Sequence, residues 1–223
     1  MRHGATPARN LILNFLPSLP VFLAYTAASL LLAVTPGPDM ALFLSKTLGG
    51  GRRFGFSALG GCMAGLVVHA CAAALGLSAL LAASSEAYGA VKLLGAAYLL
   101  WLAYGALRHG SVLHLEGAAQ GGLLSTFLTG LGINLTNPKI IIFFVTFLPQ
   151  FIEAGDAHAG GKFLFLGLYF LCVASLVSGA LIIVASRFVA AAKARPRLMR
   201  AFDYCLASLM GAFAARLILA QGR

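Results

Sequence analysis

Two ionisable residues of opposite sign, Asp39 and Lys139, stand inside long apolar runs, each beside a proline, and their positions differ by 100 (139 − 39). The first lies in Thr35-Pro36-Gly37-Pro38-Asp39-Met40, the second in Asn134-Leu135-Thr136-Asn137-Pro138-Lys139. A carboxylate, an ammonium and two amides, Asn134 and Asn137, are the groups that bind a zwitterion: the carboxylate and amide oxygens accept from an ammonium, and the lysine donates to a carboxylate. The prolines add a second element. Each removes a backbone donor and crowds the preceding turn, so Pro36 and Pro38 around Gly37 should break one helix, and Pro138 should at least kink another. The half-helices that restart at Met40 and Ile140 would then present unpaired N–H groups, which attract anions. A free amino acid has the matching charges.

The surroundings of these residues are apolar to a degree that excludes a soluble globule. The 223 residues are 60% hydrophobic and 10% charged, with a mean hydropathy of +0.92, whereas a soluble domain carries roughly 25% charged residues. Long apolar runs, broken by Gly, Pro or charge, predict six spans near residues 19–48, 57–83, 87–107, 123–150, 162–188 and 201–220. Helices are required, because backbone groups left unpaired in lipid cost several kcal/mol and the two-residue alternation of barrel strands is absent. The expected fold class is therefore an all-α integral membrane protein. Residues 19–48 would form a straight helix about 45 Å long, too long for a hydrocarbon core of about 30 Å, which agrees with an interruption at the prolines. Asp39 precedes Gly49 by ten residues and Lys139 precedes Gln150 by eleven, so each should lie about 15 Å from a membrane face, near the midplane. An ionisable group there costs roughly 2.5 to 3.5 kcal/mol and marks a functional site by default, and two of opposite sign invite pairing.

Each interruption falls in the first of three spans. The chain divides accordingly into an N-terminal extension (1–18), a first three-helix repeat (19–107), a linker (108–122) and a second three-helix repeat (123–223). An odd number of spans per half inserts the second half upside down relative to the first, giving two inverted repeats with broken first and fourth helices. The extension reads as an uncleaved lead into the first helix: two arginines precede the apolar run, but no small-residue cleavage site follows.

The net charge of +10 is a topology signal rather than a sign of nucleic acid. Nine Lys and Arg lie in or beside the loops after spans one, three and five, which the positive-inside rule makes cytoplasmic. Both termini then face outward, although Arg2 and Arg9 pull the other way. Four cysteines, Cys62, Cys71, Cys172 and Cys205, lie within apolar runs without C-x-x-C spacing, so neither a disulfide framework nor a metal site is expected.

The same residues also have structural readings. Asp39 would serve as a helix cap, Lys139 would snorkel to an interface, and Asn134 and Asn137, one turn apart, would tie neighbouring helices together. Pro36, Gly37, Pro38 and Pro138 shape backbone. His69, within span two, is a candidate proton relay or a hydrogen-bonded packing residue. Gly61 and Gly65 form a small-xxx-small face for close helix packing, within the chain or between chains.

The segment 35–40, followed by Gly50-Gly51-Arg52-Arg53-Phe54-Gly55, resembles the signature of LysE/RhtB amino-acid exporters, and Asn137-Pro138-Lys139, with the apolar residues 140–144 and Pro149 behind it, is similar to their second signature. The resemblance covers most of the chain. It implies export of an amino acid or derivative across the bacterial inner (cytoplasmic) membrane, driven by a proton gradient or the membrane potential, with no cofactor. The expected partners are that amino-acid substrate, the lipid bilayer and a second copy of the chain, and not nucleic acid. The resemblance leaves the exported compound open. Outside it, a passive channel or structural subunit is the alternative; a membrane enzyme would need a reactive cysteine pair at the breaks or a protease constellation, and neither is in the sequence.

Overall fold

The computed structural model describes residues 17–84, 121–153 and 156–187, with isolated helical positions between 86 and 108 and between 194 and 215. Among the described residues all regular secondary structure is helical. Helix α1 (Leu19–Val34) enters through Pro20 in its first turn, where a missing N–H costs nothing. It stops where Pro36 disfavours helical geometry at Thr35. Gly37 is extended, at φ −170°, and Pro38 opens α2 (Pro38–Gly50). The two halves meet at a bend of 49°. Gly51, at φ +88°, ends α2 in the left-handed region open to glycine, and its N–H donates to the Thr47 carbonyl at 2.9 Å.

Helix α3 (Arg52–Ala72) runs on through a π-helical turn at Ala73–Leu77 into α4 (Ser78–Ala83). The second break repeats the first. Helix α5 (Leu123–Thr136) ends at an extended Asn137, and Pro138 opens α6 (Pro138–Ile142), which continues through a π turn (Phe143–Phe147) and a 3₁₀ turn (Leu148–Phe151). The bend is 50°. Helix α7 (Ala159–Ile183) is uninterrupted. Two helices, Arg52–Leu80 and Ala159–Ile183, are long and apolar enough to cross a membrane alone, and each broken pair qualifies as one span. These four correspond to predicted spans one, two, four and five. Spans three and six, the N-terminal residues 1–16 and the linker residues 109–120 lie largely or wholly outside the described residues.

Glycine sets the closest helix contact. A methyl group on Gly61 of α3 would collide with the Phe127 carbonyl oxygen and come within 2.7 Å of the Leu131 nitrogen, and one on Gly130 of α5 would collide with the Ala58 carbonyl oxygen. The small-residue face of α3 therefore packs against α5 of the same chain, where backbones approach closely. Cys62 is buried in this seam, with Sγ 3.5 Å from the Gly130 carbonyl. The core falls into two apolar clusters. One gathers Tyr25, Phe143, Phe144, Phe147, Phe163 and Phe170, and within it the Tyr25 hydroxyl donates to the Leu166 carbonyl at 2.8 Å, fastening α1 to α7. The other joins Met40, Phe43, Leu44, Leu59 and Ile182. Large apolar side chains also line the outside, with Leu75 and Leu176 each 76% exposed, as suits helices solvated by lipid.

Before α7, Asp156 accepts from the His158 backbone N–H at 2.8 Å and pairs with Lys162. The hydrogen bond from Lys162 holds the Asp156 carboxyl below the usual carboxylate range. Its stabilisation is therefore complete above that range and fades as pH falls through the depressed value.

Candidate functional site

The two breaks face one cavity. Its wall includes Leu32, Thr35, Asp39 and Met40 from the first broken pair, Lys139 and Ile140 from the second, and residues of α3 and α7. Pro38 places Asp39 in the first turn of α2, where a carboxylate is favourable against the positive end of the helix dipole. Asp39 does not cap its own helix. Its Oδ2 accepts from Asn134 Nδ2 at 2.7 Å, across to α5, while Oδ1 is buried with no protein partner. Gly65 makes room for this bond, since a methyl group there would collide with the Asn134 side chain, 2.9 Å from its Cβ.

Lys139 reaches the opposite way. Its Nζ donates to the carbonyl oxygens of Thr35 at 3.0 Å and Leu32 at 3.4 Å at the C-terminal end of α1, where carbonyls run short of helical partners and the Leu32 oxygen otherwise takes only the Thr35 N–H at 3.3 Å. A cation is favourable at such a C-terminus. Gly37 is close beneath it, and an added Cβ would lie 3.1 Å from Nζ. Asp39 and Lys139 thus share a cavity without forming the direct ion pair that their signs invite. The physical reason is that each finds a nearer partner on the other's broken helix: the carboxylate takes an amide of α5, and the ammonium takes carbonyls of α1.

Asn134 and Asn137 are both fully buried, and neither lines the cavity. Asn137 is the N-cap of α6, its Oδ1 accepting from the Lys139 backbone N–H at 3.0 Å. Its Nδ2 and the Oδ1 of Asn134 are buried without a protein partner. The half-helix starts are accordingly less open to an anion than expected, because a carboxylate stands on one and an amide caps the other.

His69 lies behind Asn134, with Nε2 3.3 Å from its backbone carbonyl and the ring stacked on Phe144 at 5.6 Å. A carbonyl only accepts, so Nε2 carries the hydrogen. A carbonyl and an amide of Asn134 stand between this ring and Asp39, and neither readily takes up and passes on a proton. Substituting Gln for His69, which retains a donor toward that carbonyl, should leave the pH profile of the chain's activity unchanged and its rate within about twofold of wild type. A pH dependence that flattens in this variant would instead make His69 a relay.

The rest of the wall includes Phe43 on α2, Leu59, Cys62, Met63 and Leu66 on α3, and Phe170, Ala174 and Ser178 on α7, none of which the sequence marks as part of a site. Only three-dimensional packing distinguishes them from other apolar helix residues. The cavity measures about 30 Å³, room for about two waters.

Described residues whose regular structure is all helical, with leucines facing outward and a charged cavity framed by two broken helices, have the organisation of a membrane transport protein. The chain belongs to the LysE-type translocator family, whose model matches residues 30–221. A leucine efflux protein of Enterobacter sp. (strain 638) is 30% identical over 199 residues, covering 88% of this chain and 94% of that protein. The homoserine/homoserine lactone efflux protein of Salmonella typhi is 31% identical over 189 residues, covering 83% and 90% respectively. An uncharacterised membrane protein of Pseudomonas aeruginosa is 31% identical over 214 residues, covering 92% and 99%. No solved structure matches the chain.

Proposed function

We propose that this protein is a secondary active exporter of an amino acid or amino-acid derivative in the bacterial inner membrane, working by alternating access around the cavity between its two broken helices. The observation that carries this reading is the set of unused hydrogen-bonding groups at the breaks. Asp39 Oδ1 is a buried acceptor without a protein partner. Lys139 has three donors, of which two are engaged by Leu32 and Thr35, so one is spare. Buried polar groups are ordinarily satisfied, and this pair matches an α-ammonium and an α-carboxylate. Asn134 Oδ1 and Asn137 Nδ2, an acceptor and a donor also left over, are held in reserve one layer behind. The carboxylate is assigned to Lys139 rather than to a helix start, because Asp39 already stands in the first turn of α2.

The cavity has room for about two waters, and alternating access would open it further around a substrate. Bends of nearly equal size, 49° and 50°, at positions 100 residues apart support two inverted repeats of three helices each. Such repeats give alternating access by rocking about a fixed central site. The efflux activities named for the relatives favour export over uptake. The family likeness supports coupling to a proton gradient or the membrane potential, and the loop charges support termini on the outer face.

Purified protein in liposomes should move labelled leucine against its gradient when a pH gradient or potential is imposed. Movement only down the gradient would make the chain a passive channel, and no movement of any amino acid would overturn the reading.

A further inference from the structure

We propose that the cavity selects neutral amino acids and rejects cationic and anionic ones. The inference rests on the exporter reading above and adds the substrate class. Among the described residues that line the cavity, Asp39 and Lys139 bring one carboxylate and one ammonium. An α-ammonium and an α-carboxylate use both. Any charge on the substrate's own side chain must then face the rest of the wall, where Phe43, Leu59, Leu66 and Phe170 are apolar.

The polar wall atoms offer no substitute counter-charge. The Thr35 hydroxyl donates to the Leu31 carbonyl at 2.6 Å, Cys62 Sγ is turned to the Gly130 carbonyl, and Met63 Sδ accepts from Ser175 Oγ at 2.9 Å. The Thr35 and Leu32 carbonyls, which would otherwise welcome a second cation, already hold Lys139. Ser178 is uncommitted among the described residues. It is buried on α7, one turn from Ala174 in the same wall, and a hydroxyl there accommodates an aliphatic or a hydroxylated side chain. A lysine or glutamate side chain would bring an uncompensated charge into this space.

Counterflow in liposomes containing the wild-type protein, with labelled leucine, threonine, lysine and glutamate in separate runs, tests the inference. Leucine or threonine should exchange, with lysine and glutamate slower by roughly 100-fold, the factor an unpaired charge at mid-membrane implies. Lysine or glutamate exchange within tenfold of the better neutral substrate would overturn the selectivity while leaving the exporter reading intact. Failure of all four substrates would overturn this inference, whereas the exporter reading falls only if no amino acid or derivative moves. Ser178→Asp, or Ala174→Asp where the first does not insert, places a second carboxylate on the wall and should raise lysine exchange by roughly tenfold. An inserted variant whose lysine exchange stays at the wild-type level would overturn the assignment of selectivity to this wall.

Discussion

Export should fall by roughly 100-fold when Asp39 is replaced with Asn, with the protein still inserted and monodisperse. The substitution keeps shape and one hydrogen bond, since an amide oxygen can accept from Asn134 Nδ2 as the Asp39 carboxylate oxygen does at 2.7 Å. What it removes is charge. In the proposed site the substrate ammonium would then meet a wall whose remaining acidic or basic side chain, among the described residues, is Lys139, and an uncompensated cation in hydrocarbon costs roughly 2.5 to 3.5 kcal/mol, or about two decades in rate. Lys139→Met should match it in transport and exceed it in structural cost, because it also strips a donor from the Thr35 and Leu32 carbonyls at the end of α1. Initial rates of labelled leucine counterflow, normalised to protein that elutes as a single peak from size-exclusion chromatography, separate loss of transport from loss of fold. Wild-type rates in both variants would refute the role given to the pair.

The two breaks were readable from local chemistry, because proline acts on its own turn. Pro36 and Pro38 stop and restart a helix through sterics that need no tertiary contact, and Pro138 does the same behind Asn137. The cap on α6 was also present in the sequence: an Asn followed by Pro is a helix start, with the amide at the N-cap and the proline at the first helical position. The exchange of partners was not readable. It depends on how far α5 lies from α2 and where Lys139 meets the end of α1, and both follow from packing across about 100 residues of chain. The cavity wall on α3 and α7 was hidden for another reason: Met63, Leu66, Ala174 and Ser178 have the composition of any lipid-solvated helix, so nothing in their order marks which face turns inward. The π turns at Ala73–Leu77 and Phe143–Phe147 likewise leave no mark in a hydrophobic pattern that spans them.

Substituting Val for Gly61 should abolish recovery of folded protein, whereas Val at Gly76 should be tolerated. The contrast comes from what a side chain would meet. At Gly76 an added Cβ has nothing within 4 Å, but at Gly61 it collides with the Phe127 carbonyl oxygen and approaches the Leu131 nitrogen to 2.7 Å. Overpacking against side chains costs typically about 1–3 kcal/mol because rotamers can shift; here the obstacle is backbone, so α3 and α5 must separate along their length. That separation reaches the site. Gly65 lies one turn beyond Gly61 on the same face and accommodates Asn134, whose amide holds Asp39, so the spacing of this glycine seam sets where the carboxylate stands. Gly65→Ala, which adds one methyl against a side chain rather than a carbonyl, should spare folding more than transport. Thermal unfolding in detergent, followed by the loss of the monodisperse peak, ranks the three variants. Gly61→Val as heat-resistant as Gly76→Val would mean that the two helices are not held at backbone contact, and the carboxylate would then lack the support that its position requires.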